Sequence, residues 1–563
     1  MFLEEGIKKN LIALGVTGEI NFSVPPKPEM GDLAFACFGL AKEKGQNPAE
    51  VAKEVVEKIN QNKIDLITEA KAFGPYVNLY FSPGGLAKAV ITGIEKDKNY
   101  GTNNIGQGAK VMIEYPSQNT HKEFHIGHMR NVCIGNTLVK LYEKSGYHMV
   151  PVNYINDFGA HVVKCLWWIM RQGKLKNDIP NKQKWLGEMY AAASKYIKEH
   201  EEEVKPELDA LQKKLEAHDP KVMKIFNQTR KWSLVGFEKI HQELGVKHKV
   251  TFFESQVKEK GQKIVDGLLQ KKVAQVGEGG AIIVDLSQYG LDIALVRKST
   301  GAGVYLTSDL ALAAEKFNKI KVDESINITG TEQDFYFKQL FKILDLSGFK
   351  NKMTHVGYGL VNLPEGKMSS RAGNVILYED LRDEIFASLM KEMKERRTNW
   401  PEKKQIKTAN VLTQAVLKFT MQQHEAAKVI TFDIKQAISF DGFSAPYILY
   451  VVARINSLFK KSKIKLNNNI NYELLNTGAE KRVLFLLSSY GDVIEKALKN
   501  YNPSVITKYC FDLAQAFNDF YNNCPILSEE KDLMRSRLAL CAAVKKVLSD
   551  GLGVLTIGTV EEM

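Results

Sequence analysis

The chain has 563 residues, 44% of them hydrophobic, and six cysteines without a C-x-x-C pair. This length predicts several domains. The sequence has no long apolar run and no basic-then-apolar start, which argues against a membrane or secreted protein. The scattered cysteines argue against a disulfide framework or a cysteine zinc site. Lysines and arginines number 77 against 65 aspartates and glutamates, and this net charge of +12 favours a polyanionic partner, although a lysine-rich surface also keeps proteins soluble.

The first hundred residues predict a small α+β module. Helical periodicity covers residues 3–14 and 48–60, and the apolar stretch "YVNLYF" at residues 76–81 is typical of a strand. The stretch "VPPKPEMGD" predicts a loop, because its prolines and glycine interrupt regular structure.

A β–α–β unit follows this module. A strand is predicted at residues 110–116, a helix from about His125 to Ser145, and a second strand at residues 148–155. Such a unit joins parallel strands by a right-handed crossover, so we expect a Rossmann-like sheet that binds a nucleotide. Residues 165–275 are charged and mostly helical, and the β-like stretches at 280–286, 293–298, 326–330 and 354–361 are expected to complete the same sheet.

From about residue 405 onward the patterns are almost wholly helical, and "APYILYVVARINSLFKK" is the strongest of them. The predicted fold class is therefore α/β with three domains. These are a small α+β domain at residues 1–100, a Rossmann-like parallel-sheet domain at 101–425 with a helical insertion near 165–275, and an all-helical domain at 426–563.

The stretch "HKEFHIGH" crowds three histidines into residues 121–128, at the start of the helix in the β–α–β unit. His125 and His128 share one face of the first helical turn, and Gly127 leaves room for an imidazole to lie against the backbone. A helix N-terminus attracts phosphate through its unpaired N–H groups, and imidazoles can donate further hydrogen bonds. The turn therefore predicts an ATP site, and the alternative, a metal site, would need a third ligand.

A second candidate element, "GKMSSRAGN" at residues 366–374, follows the predicted strand at 354–361. Lys367 is a compact positive charge suited to the negative charge that develops on an α-phosphate during adenylyl transfer. Next to Met368, the two serines Ser369 and Ser370 add hydrogen-bond donors. Taken alone, this stretch is also compatible with an ordinary solvated loop.

The two elements together, H-x-G-H after the first strand and K-M-S-S near the end of the sheet, resemble the signatures of class I aminoacyl-tRNA synthetases. The longer stretch "EYPSQNTHKEFHIGHMRN" is similar to the first signature of arginyl-tRNA synthetases. The segments "NYINDFGAH", "GVYLTSDLALA", "EQDFYFKQL" and "HVGYGLV" follow in the order found in that family. "GPYVNLYF" resembles the family's N-terminal domain and "RLALCAAVKKVLSDGLGVLTIG" its last helices, so the resemblance spans the whole chain.

The resemblance implies an arginine site at Glu114, Asn119, His125, Tyr305, Asp309 and Gln333. It implies an ATP site at His125, Gly127, His128, Lys367, Met368, Ser369 and Ser370, of which His125, His128 and Lys367 are catalytic. Such an arginine pocket is chemically reasonable, because a guanidinium is a permanently charged fork that needs carboxylates and oriented acceptors. The alternatives are a strand-edge ion pair for Glu114 and a core position for the ring of Tyr305.

The resemblance also implies that Tyr76 stacks on an unpaired base of the tRNA D-loop and that Asn78 bonds to the edge of this base. The alternative is that Tyr76 packs in the core of its module and Asn78 closes a turn. Three positions depart from the family pattern, namely Phe158, His161 and Tyr336, the last of which stands where relatives often carry histidine.

The implied activity is ligation of L-arginine to tRNA(Arg), with ATP and Mg²⁺ as a substrate complex. Arginyl-adenylate forms first, typically only when the tRNA is present, and the arginine then passes to the 2′-hydroxyl of the terminal adenosine. The helical C-terminal domain would read the anticodon. We expect no zinc, no organic cofactor, no membrane contact, a cytoplasmic location and a monomer.

Two other classes of protein remain open. A small-molecule nucleotidyltransferase shares the histidine turn, but it would not need the long helical C-terminal region. A catalytically silent relative that only binds tRNA would lack a key residue, whereas this sequence retains both histidines, Glu114 and Lys367.

Overall fold

The computed structural model describes the chain except for residues 1, 17, 24, 63, 65, 174, 176, 177, 365–375, 465, 467, 468 and 529. The chain forms two compact units. The terminal unit comprises Met1–Asn103, Ser439–Asn500 and Val505–Met563, and the central unit comprises Asn104–Ile438 and Tyr501–Ser504. Among the described helices, none is both long enough and apolar enough to cross a membrane.

The N-terminal part of the terminal unit is an α+β module, as predicted. Its four strands form one antiparallel sheet, in which Phe22–Ser23, Leu33–Ala36, Tyr76–Phe81 and Ile67–Phe73 lie side by side in that order. The helix at residues 48–61 begins where the Asn47 side chain accepts a hydrogen bond from the Ala49 backbone N–H (2.9 Å), with Pro48 in the first turn. The elements of the module are α1 (Phe2–Ala13), β1 (Phe22–Ser23), β2 (Leu33–Ala36), α2 (Phe38–Lys44), α3 (Pro48–Gln61), β3 (Ile67–Phe73), β4 (Tyr76–Phe81) and α4 (Pro83–Lys96).

The central unit is built on a five-stranded parallel sheet. Its first half contains β5 (Lys110–Glu114), α5 (Ile126–Lys144), β6 (His148–Ile155), α6 (Ala160–Gln172), α7 (Lys182–Glu199), α8 (Glu201–Glu216), α9 (Pro220–Leu244), β7 (Val250–Phe253) and α10 (Glu254–Gln270). Its second half contains β8 (Gln275–Val276), β9 (Ile282–Asp285), β10 (Ile293–Arg297), α11 (Tyr305–Lys319), β11 (Glu324–Gly330), α12 (Asp334–Leu346), β12 (Lys352–Tyr358), β13 (Val361–Asn362), α13 (Tyr378–Arg396), α14 (Glu402–Thr420), β14 (Ile430–Thr431) and α15 (Ile434–Ala437).

The strand order of the parallel sheet, β12-β11-β5-β6-β7, places β5 in the middle. Four of the five residues of β5 are buried, as expected for a parallel strand covered on both faces. The chain leaves β5 toward β6 and later returns to the other side of β5 as β11. Ligands bind at the carboxyl ends of strands where the strand order reverses in this way.

The expectation that residues 280–286 and 293–298 complete this sheet is wrong. β9 and β10 pair with each other, and β9 with β8, in a separate antiparallel sheet of three strands. One edge of the main sheet is formed instead by β7, which lies inside the expected helical insertion. Periodicity identifies a strand, but the choice of its neighbour depends on packing between distant parts of the chain.

The C-terminal part of the terminal unit is helical, and it packs on the N-terminal module. Its helices are α16 (Ala445–Ser462), α17 (Gly478–Ser488), α18 (Tyr490–Lys499), α19 (Ser504–Asn523) and α20 (Lys531–Val554). Lys481 forms an ion pair with Asp32 (3.0 Å), and the rings of Phe81 and Phe485 lie 5.9 Å apart. Two regions far apart in the sequence therefore share one compact unit.

Candidate active site

A cleft of about 590 Å³ opens at the carboxyl ends of β5 and β11. It brings together residues from β5, the loop after it, the start of α5, the start of α11 and the short turn Thr331–Gln333. All six residues predicted for the arginine site and the second histidine of the turn line it, namely Glu114, Asn119, His125, His128, Tyr305, Asp309 and Gln333.

The histidine turn is the N-terminus of α5, as predicted. His125 caps the helix: its Nδ1 accepts a hydrogen bond from the His128 backbone N–H, and the Nδ1 of His128 accepts one from the His125 backbone N–H, both at 3.3 Å. The two rings stack with centroids 3.6 Å apart. A Cβ atom at Gly127 would lie only 3.0 Å from the His125 ring, so the glycine makes room for this stack.

The electrostatics of this turn keep both imidazoles neutral at physiological pH. Burial lowers the pKa of His125 to about 4, and the nearby Lys122 adds to this effect. Burial, together with the neighbouring His125 ring and the Lys122 cation, also lowers the pKa of His128 well below its usual value. Because each Nδ1 accepts a backbone hydrogen bond, each Nε2 carries the proton. The turn therefore offers two neutral N–H donors, together with the positive end of the α5 dipole.

Glu114, at the carboxyl end of β5, already has partners within the protein. Its Oε2 lies 2.5 Å from the Nζ of Lys316, and its Oε1 accepts a hydrogen bond from the Asn327 side chain at 3.1 Å. Both members of this ion pair are buried, and β5 is a central strand. The structure thus contains an ion pair at Glu114, as in the alternative to an arginine-binding role, although this pair is not at the edge of the sheet. The role of Glu114 in binding arginine stays a prediction.

Tyr305 and Asp309 share one face of α11, as their spacing predicted. Tyr305 is 71% exposed at the mouth of the cleft, so it is not a core aromatic. The Asp309 carboxylate accepts a hydrogen bond from the Tyr336 hydroxyl on α12. Burial raises the pKa of Asp309 to about 6, because its effect and that of the Glu114 charge outweigh the Tyr336 hydrogen bond and the Lys316 charge, which lower the pKa.

The sequence analysis missed several residues of the cleft. Lys316, Tyr154 and Asn327 line it without having been singled out, and Tyr336 had been noted only as a departure from the family pattern. A lysine two turns after Asp309 on the same face of α11 was the available signal for Lys316. The other two residues that depart from the family pattern make local contacts. Phe158 packs against Phe226, and the His161 ring lies 3.2 Å from the Asn156 carbonyl.

Lys367, Met368, Ser369 and Ser370 lie outside the described residues, and their predicted roles stay predictions. The chain resumes beside the histidine turn, where Ile126 N–H donates to the Ile376 carbonyl and Tyr378 N–H donates to the Phe124 carbonyl, both at 3.0 Å. Within the part of the chain that the structure describes, no cluster of three histidine, cysteine or acidic side chains has the geometry of a metal site.

The two residues predicted to contact tRNA lie on β4 of the terminal unit. Tyr76 is 42% exposed, and its ring meets the exposed ring of Phe38 edge-on at 6.1 Å. Asn78 is 2% exposed, and its side-chain amide donates to the Met30 carbonyl at 2.6 Å. Asn78 therefore holds the loop that ends at Met30, which is close to the alternative role considered for it.

The parallel sheet, with a histidine turn after its first strand and a polar cleft beside it, is the architecture of a class I aminoacyl-tRNA synthetase. Three family models match the chain: "tRNA synthetases class I (R), catalytic domain" at residues 90–433, "DALR anticodon binding domain" at 448–563 and "Arginyl tRNA synthetase N terminal domain" at 1–81. The chain belongs to the arginyl-tRNA synthetase family.

Individual relatives agree with this assignment over nearly the full length. An arginine–tRNA ligase of Clostridium beijerinckii is 34% identical over 553 residues, covering 96% of this chain and 95% of its own length. An arginine–tRNA ligase of Bdellovibrio bacteriovorus is 32% identical over 551 residues, covering 96% of this chain and 93% of its own length. The solved arginyl-tRNA synthetase of Thermus thermophilus has the same fold, with a TM-score of 0.82 at 22% identity over 100% of this chain and 99% of that one. The predicted family, fold class and ligase activity are confirmed.

Proposed function

We propose that the cleft of the central unit binds L-arginine beside ATP and forms arginyl-adenylate, and that the arginine is then transferred to tRNA(Arg). The observation that carries this proposal is the convergence of Glu114, Tyr305, Asp309 and Gln333 on one cleft that the histidine turn also lines. Carboxylates and a phenol are suited to a guanidinium fork, whereas amides and imidazoles are suited to the α-amino and carboxylate groups.

In the first step, a carboxylate oxygen of arginine attacks the α-phosphorus of ATP, which enters as its Mg²⁺ complex, and pyrophosphate leaves. The Nε2–H groups of His125 and His128 donate hydrogen bonds to phosphate oxygens as charge builds on them. Lys367 adds a positive charge at the same place. In the second step, the 2′-hydroxyl of the terminal adenosine attacks the carbonyl carbon of the adenylate, and AMP leaves.

The experiment that tests this function is ATP–pyrophosphate exchange with purified protein, with and without tRNA(Arg). We expect exchange that depends on arginine and rises when tRNA(Arg) is added. Lysine should be rejected by about 10⁴-fold or more, because an ammonium leaves fork-shaped acceptors unpaired. Equal use of lysine, glutamine or glutamate would contradict the assignment.

The domain roles and boundaries are part of the proposal. We assign residues 1–100 to the D-loop corner of the tRNA, 101–425 to catalysis and 426–563 to the anticodon. In the last region, the Arg454 guanidinium lies over the exposed rings of Tyr450 (4.7 Å) and Tyr521 (4.6 Å), a set of planar groups on which unpaired bases can stack. We further propose a cytoplasmic monomer, which light scattering of the purified protein would check.

The exposed ring of Tyr76 gives a separate test of the D-loop contact. Tyr76→Ala should raise the tRNA KM by about tenfold or more, which corresponds to a lost stacked base of about 1–3 kcal/mol, with an unchanged melting temperature. Asn78→Ala should instead lower the melting temperature, because it removes a buried hydrogen bond to Met30. A normal tRNA KM in Tyr76→Ala would remove the D-loop contact from the proposed function.

A further inference from the structure

The second turn of α5 contains a buried cation, Arg130, that has no part in the proposed reaction steps. Arg130 is 0% exposed, and it follows the second histidine of the turn by two residues. Burial lowers the pKa of its guanidinium to about 10, so the group stays charged at neutral pH. Among the residues that the structure describes, no carboxylate pairs with this charge, and its buried Nε has no hydrogen-bond partner. A buried charge without a counter-ion is unfavourable for folding, which is typical of groups that serve a function.

The guanidinium of Arg130 binds backbone carbonyls from two segments that are distant in the sequence. Its Nη1 donates to the carbonyls of Gly359 (2.5 Å) and Leu360 (3.3 Å), and its Nη2 donates to the carbonyl of Glu425 (3.3 Å). The same two segments continue into β13 and β14, which pair with each other. The planar fork of an arginine can hold carbonyls on both sides at once, whereas the single nitrogen of a lysine cannot. Arg130 therefore fixes both segments against α5.

These contacts lie at one flank of the segment that contains Lys367. From the carbonyls that Arg130 binds, the chain passes through β13 toward residues 365–375. At the other flank, the Ile126 N–H in the histidine turn donates to the Ile376 carbonyl at 3.0 Å. The first two turns of α5 thus hold the chain on both sides of residues 365–375.

We propose that Arg130 is a positioning residue for adenylate formation: by holding these three carbonyls against α5, it fixes the distance between the histidine turn and the strand from which the chain enters the Lys367 segment. Arg130 does not line the cleft, so it acts through other residues and not on the substrate. This inference rests on the proposed function, because it assumes that ATP binds at the histidine turn.

The test is the single-turnover rate of adenylate formation with saturating ATP, arginine and tRNA(Arg). Arg130→Lys keeps the charge but cannot span both segments, so the rate should fall about tenfold or more, since small displacements of groups that contact the reacting atoms are costly. The arginine KM should stay within about twofold of the parental value, because the arginine site lies on other elements. Arg171→Lys, the same exchange at a partly exposed arginine on α6 that pairs with Glu207 at 3.5 Å, is the matched control and should keep the parental rate.

A double-mutant cycle with Lys367→Ala separates positioning from a merely structural role. If Arg130 acts by placing the Lys367 segment, adding Arg130→Lys to Lys367→Ala should change the rate by no more than about twofold. Slowing by the same factor in both backgrounds would overturn the inference. A parental rate in either single variant, or a slower rate in Arg130→Lys with an equal rise in the arginine KM, would overturn it as well.

If Arg130→Lys does not fold, Arg130→Gln takes its place in the same cycle. A neutral amide needs no counter-ion, and it can still donate to one of the carbonyls. Cooperative unfolding in urea identifies a folded variant. Failure of both variants to fold would assign Arg130 to folding alone and overturn the inference. Parent protein without arginine-dependent exchange would instead refute the proposed function itself.

Discussion

Replacing Lys316 with methionine is expected to lower the free energy of unfolding of the central unit by about 3–5 kcal/mol. The change keeps an unbranched side chain that is one atom shorter, but it leaves the Glu114 carboxylate buried without the ammonium that lay 2.5 Å away. All five tryptophans lie within Asn104–Ile438, so tryptophan fluorescence during urea unfolding follows this unit and not the terminal one. The midpoint of that transition is the measurement.

Two further variants make this prediction specific. Glu114→Gln/Lys316→Met removes both charges and should recover most of the lost stability, because an apolar or neutral pair incurs no cost of an unpaired buried ion. Lys338→Met, an exposed lysine on α12, should shift the free energy of unfolding by less than about 0.5 kcal/mol. A Lys316→Met protein that unfolds at the parental urea concentration would show that the pair does not stabilise the fold.

The second large effect is expected at Lys367. Lys367→Ala should lower the rate of adenylate formation by about a hundredfold or more and leave the arginine KM nearly unchanged, because this ammonium acts mainly on charge that develops in the transition state. Lys367 lies outside the described residues, but Ile376, shortly after it in the chain, accepts the backbone hydrogen bond of Ile126 in the histidine turn.

Single-turnover measurement of adenylate formation with saturating tRNA separates this step from later ones. Lys350→Ala is the matched control, because the Lys350 side chain is 80% exposed and forms a surface ion pair with Asp345 at 3.5 Å. Surface pairs of this kind contribute little, so the control should keep the parental rate. An effect of Lys367→Ala confined to the arginine KM would mean that Lys367 binds the amino acid instead of the transferring phosphate.

The sequence by itself determined the features that depend on local order along the chain. The strand at residues 148–155 has the predicted bounds, α5 begins at the histidine turn, and the spacing of Tyr305 and Asp309 places both on one helix face. These features follow from apolar periodicity and from the small repertoire of turns at helix ends, which neighbouring residues set. The family signatures belong to this group, since each occupies a short segment.

Only the tertiary structure decided which distant residues meet. β9 and β10 read as strands, but their own antiparallel sheet arises from pairing that periodicity does not specify. Likewise, the pairing of Lys316 with Glu114, and of Tyr336 with Asp309, depends on how α11 and α12 pack around the end of β5. The charge state of a buried carboxylate depends on the side chains that surround it in space, so the sequence could assign Glu114 and Asp309 to one site but could not show that their surroundings differ.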